Sequence, residues 1–243
     1  MKKPVIGVIT YRNLGEDDRP YSDFIKMQSV YYNYIYEVGG IPIGISFPYG
    51  HFHKEGLDLC DGFLFTGGSL IEPYQLEVVH YAIKKKKPML CVCNGLQTIG
   101  AYEWLRKRFN YKVDYKKIEE FFKPENELDV LRKVSNHNVL NPFYLSRIDE
   151  VKHDVYLDRN SLMYEIYNSD IISEPSLHEY SLKNDILDDN SLFKVTGKYY
   201  DDIEVIEYKN KNYFAIGTQF HIELESQNKK LLKRFISECK KHI

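Results

Sequence analysis

The chain has 243 residues, of which 43% are hydrophobic, and this size suits one large α/β domain spanning residues 1–243. Its 33 basic and 35 acidic residues give a net charge of -2, which predicts no binding to nucleic acid or to an anionic membrane. Four cysteines do not form a disulfide framework, and no apolar run is long enough for a signal-peptide core or a membrane span. We therefore expect a soluble, cytoplasmic protein.

The first half of the chain alternates buried-strand patterns with helical patterns. Nearly continuous apolar runs predict strands at 4–10, 41–47, 62–65 and 89–92. Helices are predicted from a Ser22 cap to Gly39-Gly40, within 51–59, and from Glu72-Pro73 onward, because proline suits a first turn. Residues 11–21 are predicted to be a polar loop, and lysines 84–87 a solvated helix end. This alternation favours a doubly wound, mostly parallel central sheet flanked by helices.

The second half of the chain is richer in strand patterns. Strands are predicted at 153–157, 191–200, 203–208 and 213–218, with a hairpin turn at 209–212. Ser161 is predicted to cap a short helix that runs to Tyr167, and a basic helix begins near Glu225. Residues 106–142 are highly charged and predict only helix fragments and loop. The fold is therefore expected to carry an additional β-rich segment in its C-terminal half.

Cys93 follows the apolar run 89–92 directly, and Asn94-Gly95 then open a helical pattern. A sharp strand-to-helix turn with a nucleophile at its corner is the nucleophile elbow. The positive end of the helix dipole favours a thiolate there, and a glycine allows close backbone approach. Taken alone, Cys93 would be interpreted as a buried structural thiol, which is our interpretation of Cys91. A Cys-x-Cys pair without a matching Cys or His pair is a poor zinc signal, so no metal is expected.

A cysteine nucleophile needs a base, and the base needs an orienting group. His221 follows the predicted strand 213–218, and Glu223 shares its side of an extended segment because strand side chains repeat every two residues. The backbone N–H groups of Asn94 and of Gly67 or Gly68 are suitable oxyanion donors. An isolated His-x-Glu pair is more often a surface pair. The combination with an elbow cysteine and a Gly-Gly loop at the same sheet end favours the catalytic interpretation.

Several motifs resemble those of one family across nearly the whole chain. Residues 66–68 with Glu72-Pro73 resemble a T-G-G…P loop, 93–97 a C-R-G-x-Q elbow, and 176–178 an N-S-x-H-H-Q motif. Residues 203–207 resemble an I-E-x-I-E strand, and 217–223 resemble G-V-Q-W-H-P-E; 4–7 and 39–42 are similar to the first two strands. The chain resembles the class I glutamine amidotransferase-like family, with its flavodoxin-like fold, and specifically the γ-glutamyl-γ-aminobutyrate hydrolase branch.

The resemblance implies a Cys93–His221–Glu223 triad that works through a γ-glutamyl thioester, without a cofactor. It also implies a substrate pocket, formed here by Gln97, Ser176, His178, Glu179 and Tyr180. The sequence departs from the family at Asn94, which replaces arginine, at Ile222, which replaces proline, and at Glu179-Tyr180, which replace His-Gln. These departures concern the pocket wall, and none of them removes a reacting group.

Three functional hypotheses follow. The first is a hydrolase of small γ-glutamyl amides that releases glutamate and an amine; the second is the glutaminase component of a synthase, which passes ammonia to a partner. The third, a non-catalytic binding module, is disfavoured because all three triad residues are present. A homodimer is compatible with either enzyme. Glu179 and Tyr180 predict an anionic, aromatic rim that favours a cationic leaving group, and Glu179 pointing to solvent is an equally good interpretation.

Overall fold

A nine-stranded mixed sheet forms the centre of the computed structural model, which describes residues 2–13, 24–68, 70–113, 115–134 and 145–243. The strands described are β1 (Val5–Ile9), β2 (Tyr11–Asn13), β3 (Phe24–Lys26), β4 (Ile41–Ile45), β5 (Gly62–Phe65), β6 (Met89–Val92), β7 (Leu131–Lys133), β8 (Lys152–Leu157), β9 (Ile171–Pro175), β10 (Tyr180–Leu182), β11 (Phe193–Tyr199), β12 (Asp202–Tyr208) and β13 (Ala215–Thr218). The central sheet has the order β4-β1-β5-β6-β13-β12-β11-β8-β9.

The central sheet divides into a parallel and an antiparallel half. Strands β4, β1, β5, β6 and β13 pair in parallel. From β13 through β12, β11 and β8 to β9 every pairing is antiparallel. The predicted α/β sheet with an additional β-rich C-terminal segment is confirmed, and that segment extends the same sheet.

Helices pack on both faces of the sheet. They are α1 (Ser29–Glu37), α2 (Glu55–Asp58), α3 (Pro73–Lys85), α4 (Asn94–Arg108), α5 (Tyr115–Phe121), α6 (Glu127–Val130), α7 (Leu162–Tyr167) and α8 (Lys229–Cys239). Short 3-10 turns occur at Pro48–Gly50, Pro124–Asn126, Leu145–Val151, Ile222–Leu224, Ser226–Asn228 and Lys240–His242. Apolar side chains of α3 and α4 form one core layer, and those of α1, α7 and α8 form the other. No helix in the described ranges is both long and apolar enough to span a bilayer.

Two helix starts follow the capping rules predicted from sequence. Helix α3 begins with Pro73, and the Glu72 side chain and Gln75 form a reciprocal capping box. Helix α7 begins after Ser161, whose Oγ accepts the Tyr164 N–H at 2.9 Å. The buried Glu207 carboxylate on β12 accepts two further N–H groups of the first turn of α7, at 2.8 Å each. These contacts satisfy backbone donors that a helix N-terminus leaves unpaired.

The structure corrects the sequence analysis in three places. Helix α1 begins at Ser29, and 24–26 form a strand paired with 11–13, where the prediction was a loop and a helix; the predicted Ser22 cap lies outside the described residues. The charged region contains α5, α6 and β7, and β7 pairs with β10. Lys87 is not a solvated helix end, because its ammonium donates to the Leu57 carbonyl at 2.9 Å.

Candidate active site

The nucleophile elbow is present at Cys93, between β6 and α4. Cys93 has φ 51° and ψ -105°, a left-handed conformation that non-glycine residues rarely adopt. Its amide donates to the Thr218 carbonyl on the adjacent β13 at 2.7 Å, which ties the turn to the sheet. A Cβ at Gly95 would lie 2.7 Å from the Phe65 Cβ, so the turn requires glycine at 95. Strained backbone of this kind accumulates at functional sites.

Three neighbouring strands bring the predicted triad together. Cys93 follows β6, the Gly67-Gly68 loop follows β5, and His221 follows shortly after β13, so all three lie at the carboxyl edge of the parallel strands. His221 Nδ1 lies 2.6 Å from Glu223 Oε1, and both side chains are largely buried. The imidazole also contacts the Cys93 thiol. The geometry is that of a nucleophile, a base and an orienting carboxylate.

The charge state of His221 is set by its two neighbours. Burial alone lowers the pKa of His221, but the adjacent Glu223 carboxylate and Cys93 raise it well above its ordinary value. Burial likewise raises the pKa of Glu223, whereas His221 and Tyr31 lower it, so the net shift is downward. The dyad therefore favours an imidazolium beside a carboxylate. An imidazolium next to Cys93 stabilises negative charge on its sulfur.

Tyr31, on α1, is a member of this site that the sequence analysis did not identify. Its side chain is fully buried, and its hydroxyl lies beside Glu223 and the Gly67 amide without ideal hydrogen-bond geometry to either. Burial and then the Glu223 charge raise the pKa of Tyr31 well above its usual value, so it stays a neutral donor. Helix α1 lies about 190 positions before Glu223 in the sequence, and no local signal links the two.

The predicted oxyanion donors surround Cys93. A Cβ at Gly67 would lie 3.0 Å from His221 Cε1, so only glycine lets the loop pass this close to the imidazole. Gly68 lies against the Asn94 side chain, where a Cβ would be 3.3 Å from Oδ1. Asn94 is the first residue of α4, and its amide is among the helix N–H groups without an intrahelical acceptor. The loop and the helix start thus present backbone N–H groups on two sides of the thiol.

Three of the predicted substrate residues form one connected group beside the thiol. Gln97 Nε2 donates to the Tyr180 carbonyl at 3.0 Å and to Gln219 Oε1 at 3.3 Å. His178 Nδ1 lies 2.8 Å from the same Tyr180 carbonyl, which fixes Nδ1 as the donor. Burial lowers the pKa of His178 to about 4, so this imidazole is neutral at physiological pH. These contacts hold the segment at 178–180 against helix α4.

The remaining two predicted substrate residues differ in position. Glu179 is exposed and lines the cavity at Cys93, whereas Ser176 is 1% exposed and is not among the residues that line either cavity there. His178 Nε2 also lies 3.2 Å from Glu204 Oε1, and His153 Nε2 lies 3.7 Å from the same oxygen. These three side chains form the one cluster among the described residues with a metal-ligand donor set. We assign it no step, and the expectation of a metal-free reaction stays a prediction.

Two cavities meet at Cys93. The larger, of about 520 Å³, is lined by Gly68, Cys93, Asn94, Gln97, Glu125, Glu127, Leu128, Leu131, Leu177, His178, Glu179 and Tyr180. The smaller, of about 390 Å³, is lined by Tyr11, Lys26, Gln28, Gly67, Gly68, Cys93, Leu177 and His221. The thiol is therefore reachable from two sides that differ in charge.

Comparison with known proteins agrees with this geometry. The chain is 30% identical over 185 residues to human CTP synthase 2, covering 72% of this chain and 30% of that protein. It spans less than a third of the length of the curated relatives it matches. Among solved structures, it superposes on the glutaminase domain of Trypanosoma brucei CTPS with a TM-score of 0.67 at 15% identity, covering 99% of this chain and 95% of that one. A Thermotoga maritima glutamine amidotransferase gives a TM-score of 0.56 at 13% identity, covering 99% and 86%.

These structural matches establish the class I glutamine amidotransferase-like fold, and the sequence relatives are synthases rather than γ-glutamyl hydrolases. A family model matches residues 4–78 and 72–223, which include the elbow and the His-x-Glu segment. The chain therefore belongs to the peptidase C26 family.

Proposed function

We propose that this protein is a cysteine-dependent amidase that cleaves the side-chain amide of a glutamine-type substrate through an acyl thioester on Cys93. The observation that carries the proposal is the strained elbow at Cys93 in contact with the 2.6 Å His221–Glu223 dyad. Membership in the peptidase C26 family supports it.

The proposed reaction uses each group in turn. His221 holds the proton lost by the Cys93 thiol, and the sulfur attacks the amide carbon. The carbonyl oxygen becomes an oxyanion that the N–H groups of Asn94 and Gly68 stabilise, since the Gly67 amide faces Tyr31. The tetrahedral intermediate collapses as the C–N bond breaks, and His221 gives its proton to the leaving nitrogen. A water then attacks the thioester with His221 as base, which releases the carboxylic acid and restores the thiol.

The leaving group distinguishes two versions of this function. Similarity to CTP synthases favours ammonia as the product, passed to a synthase partner, because this chain corresponds to less than a third of those proteins. A second version, hydrolysis of a γ-glutamyl amide with a larger amine, is supported by the cavity of about 390 Å³ on the His221 side. That cavity has room for more than ammonia.

Hydroxylamine trapping tests the proposal directly. We expect the wild-type protein to convert an amide substrate and hydroxylamine into the acyl hydroxamate, because hydroxylamine intercepts a thioester, and Cys93→Ala to form none. Cys91→Ala, one turn of backbone earlier and fully buried, is the matched control and should keep the activity. Hydroxamate formation by Cys93→Ala at the wild-type rate would exclude the proposed thioester. Ammonia release from glutamine that rises with a synthase partner would select the first version.

A further inference from the structure

The two cavities at Cys93 have different chemical tasks, because only one contains the proton donor. His221 lines the smaller cavity and is not among the residues lining the larger one. The group that protonates the leaving nitrogen must be within reach of it, so the leaving group occupies the smaller cavity. The acyl chain of the thioester then extends into the larger cavity. This places Glu179 beside the acyl chain, whereas the sequence analysis placed it beside the leaving group.

The larger cavity is lined by negative charge. Glu125, Glu127 and Glu179 reach it from α6, from the 3-10 turn before it, and from the segment before β10. Within the described residues, no lysine or arginine lines this cavity. Glu127 is held in place by the Ile71 N–H, which donates to its Oε1. Burial raises the pKa of Glu127, and a bound cation would relieve the cost of that buried charge.

A second, independent feature of this cavity points to a hydrogen-bond donor on the ligand. Asn94 is 2% exposed, and its Oδ1 has no hydrogen-bond partner among the described residues although it belongs to the cavity lining. A buried acceptor without a donor is costly, so a ligand N–H that reaches Asn94 would be favoured. The walls also include Leu128, Leu131 and Leu177, which suit the methylene groups of an acyl chain.

We infer that the larger cavity selects acyl groups whose far end carries an ammonium group and no free carboxylate. An ammonium offers three donors and a positive charge to three carboxylates and the Asn94 oxygen. A carboxylate in the same place would meet like charges and no cation. This inference rests on the proposed thioester function and specifies its substrate class. Glutamine, which carries both groups at its far end, is then a poorer substrate than its analogue without the carboxylate.

Two analogues of glutamine separate the contributions of its charged groups. 4-Aminobutanamide keeps the ammonium and lacks the carboxylate, and glutaramate keeps the carboxylate and lacks the ammonium. We expect kcat/KM to be at least about tenfold higher for 4-aminobutanamide than for glutaramate, with glutamine between them. Glu179→Gln and Glu127→Gln should reduce this ratio. Glu120→Gln, an exposed carboxylate outside the cavity lining, is the matched control and should leave the ratio unchanged.

Labelling of Cys93 gives a readout that does not depend on turnover. The cationic 2-aminoethyl and anionic 2-sulfonatoethyl methanethiosulfonates each form a mixed disulfide with a thiol and release methanesulfinate. Relative to a free small thiol, the cationic reagent should react faster with Cys93, and Glu179→Gln should weaken this preference. Equal or inverted preferences in both assays, with Cys93-dependent turnover intact, would overturn the inference and leave the proposed function standing. Loss of all Cys93-dependent turnover would instead reject the function, and the labelling ratio would still decide the charge of the cavity.

Discussion

Glu223→Gln removes one charge from the dyad while keeping the shape of the side chain. At the observed 2.6 Å, two unit charges attract by about 6 kcal/mol at an effective dielectric constant of about 20. Desolvation of both groups offsets part of this attraction, and loss of one partner of a buried pair typically costs about 3–5 kcal/mol. The glutamine amide can also donate to Nδ1, which would move the imidazole proton to Nε2, the side facing Cys93. We expect amide hydrolysis to fall by about 10²–10⁴-fold.

The pH dependence of Cys93 alkylation by iodoacetamide measures this change. Glu223 raises the pKa of His221, so the imidazolium of the wild-type protein persists to higher pH than that of Glu223→Gln. Folding stability from this group is fully present below the unfolded histidine pKa of about 6.5 and is lost as pH rises through the raised folded value. The variant should lose much of this pH-dependent stabilisation. Glu225→Gln, two positions on and paired with Lys152, is the control. A wild-type rate and pH profile in Glu223→Gln would refute the assigned orienting role.

Three further predictions follow from the site. Iodoacetamide should label Cys93 first, as read by peptide mass mapping, because burial raises the pKa of the other three thiols, Cys60, Cys91 and Cys239; earlier labelling of any of them would contradict this. Tyr31→Phe should slow turnover by about 10–100-fold, since a donor to a charged carboxylate contributes about 1.5–3 kcal/mol, and an unchanged kcat would remove Tyr31 from the site. Gly95→Ala should lower the free energy of unfolding by about 1–3 kcal/mol in urea titration, because its Cβ meets Phe65, and unchanged stability would contradict the close approach.

The parts of the site that sequence predicts are those with short-range causes. The elbow at Cys93 is visible because a strand, a nucleophile and a glycine follow one another within seven residues. His221 and Glu223 share one extended segment, so their spacing alone predicts the contact that the structure shows at 2.6 Å. Ser176 was selected by the same motif as His178, yet the fold buries Ser176 away from the cavity and places His178 on it. A motif specifies a chain segment, and packing decides which of its side chains face the ligand.

The sequence by itself determined the alternation of strands and helices, the caps of α3 and α7, and the elbow, because each depends on neighbours within a few residues. Only the tertiary structure decided the short β7–β10 pairing, the position of Tyr31 beside Glu223, and the assembly of three carboxylates around one cavity. These contacts join segments tens to hundreds of residues apart. Their energy comes from burial and charge in the assembled core, which no local pattern of apolar and polar residues encodes.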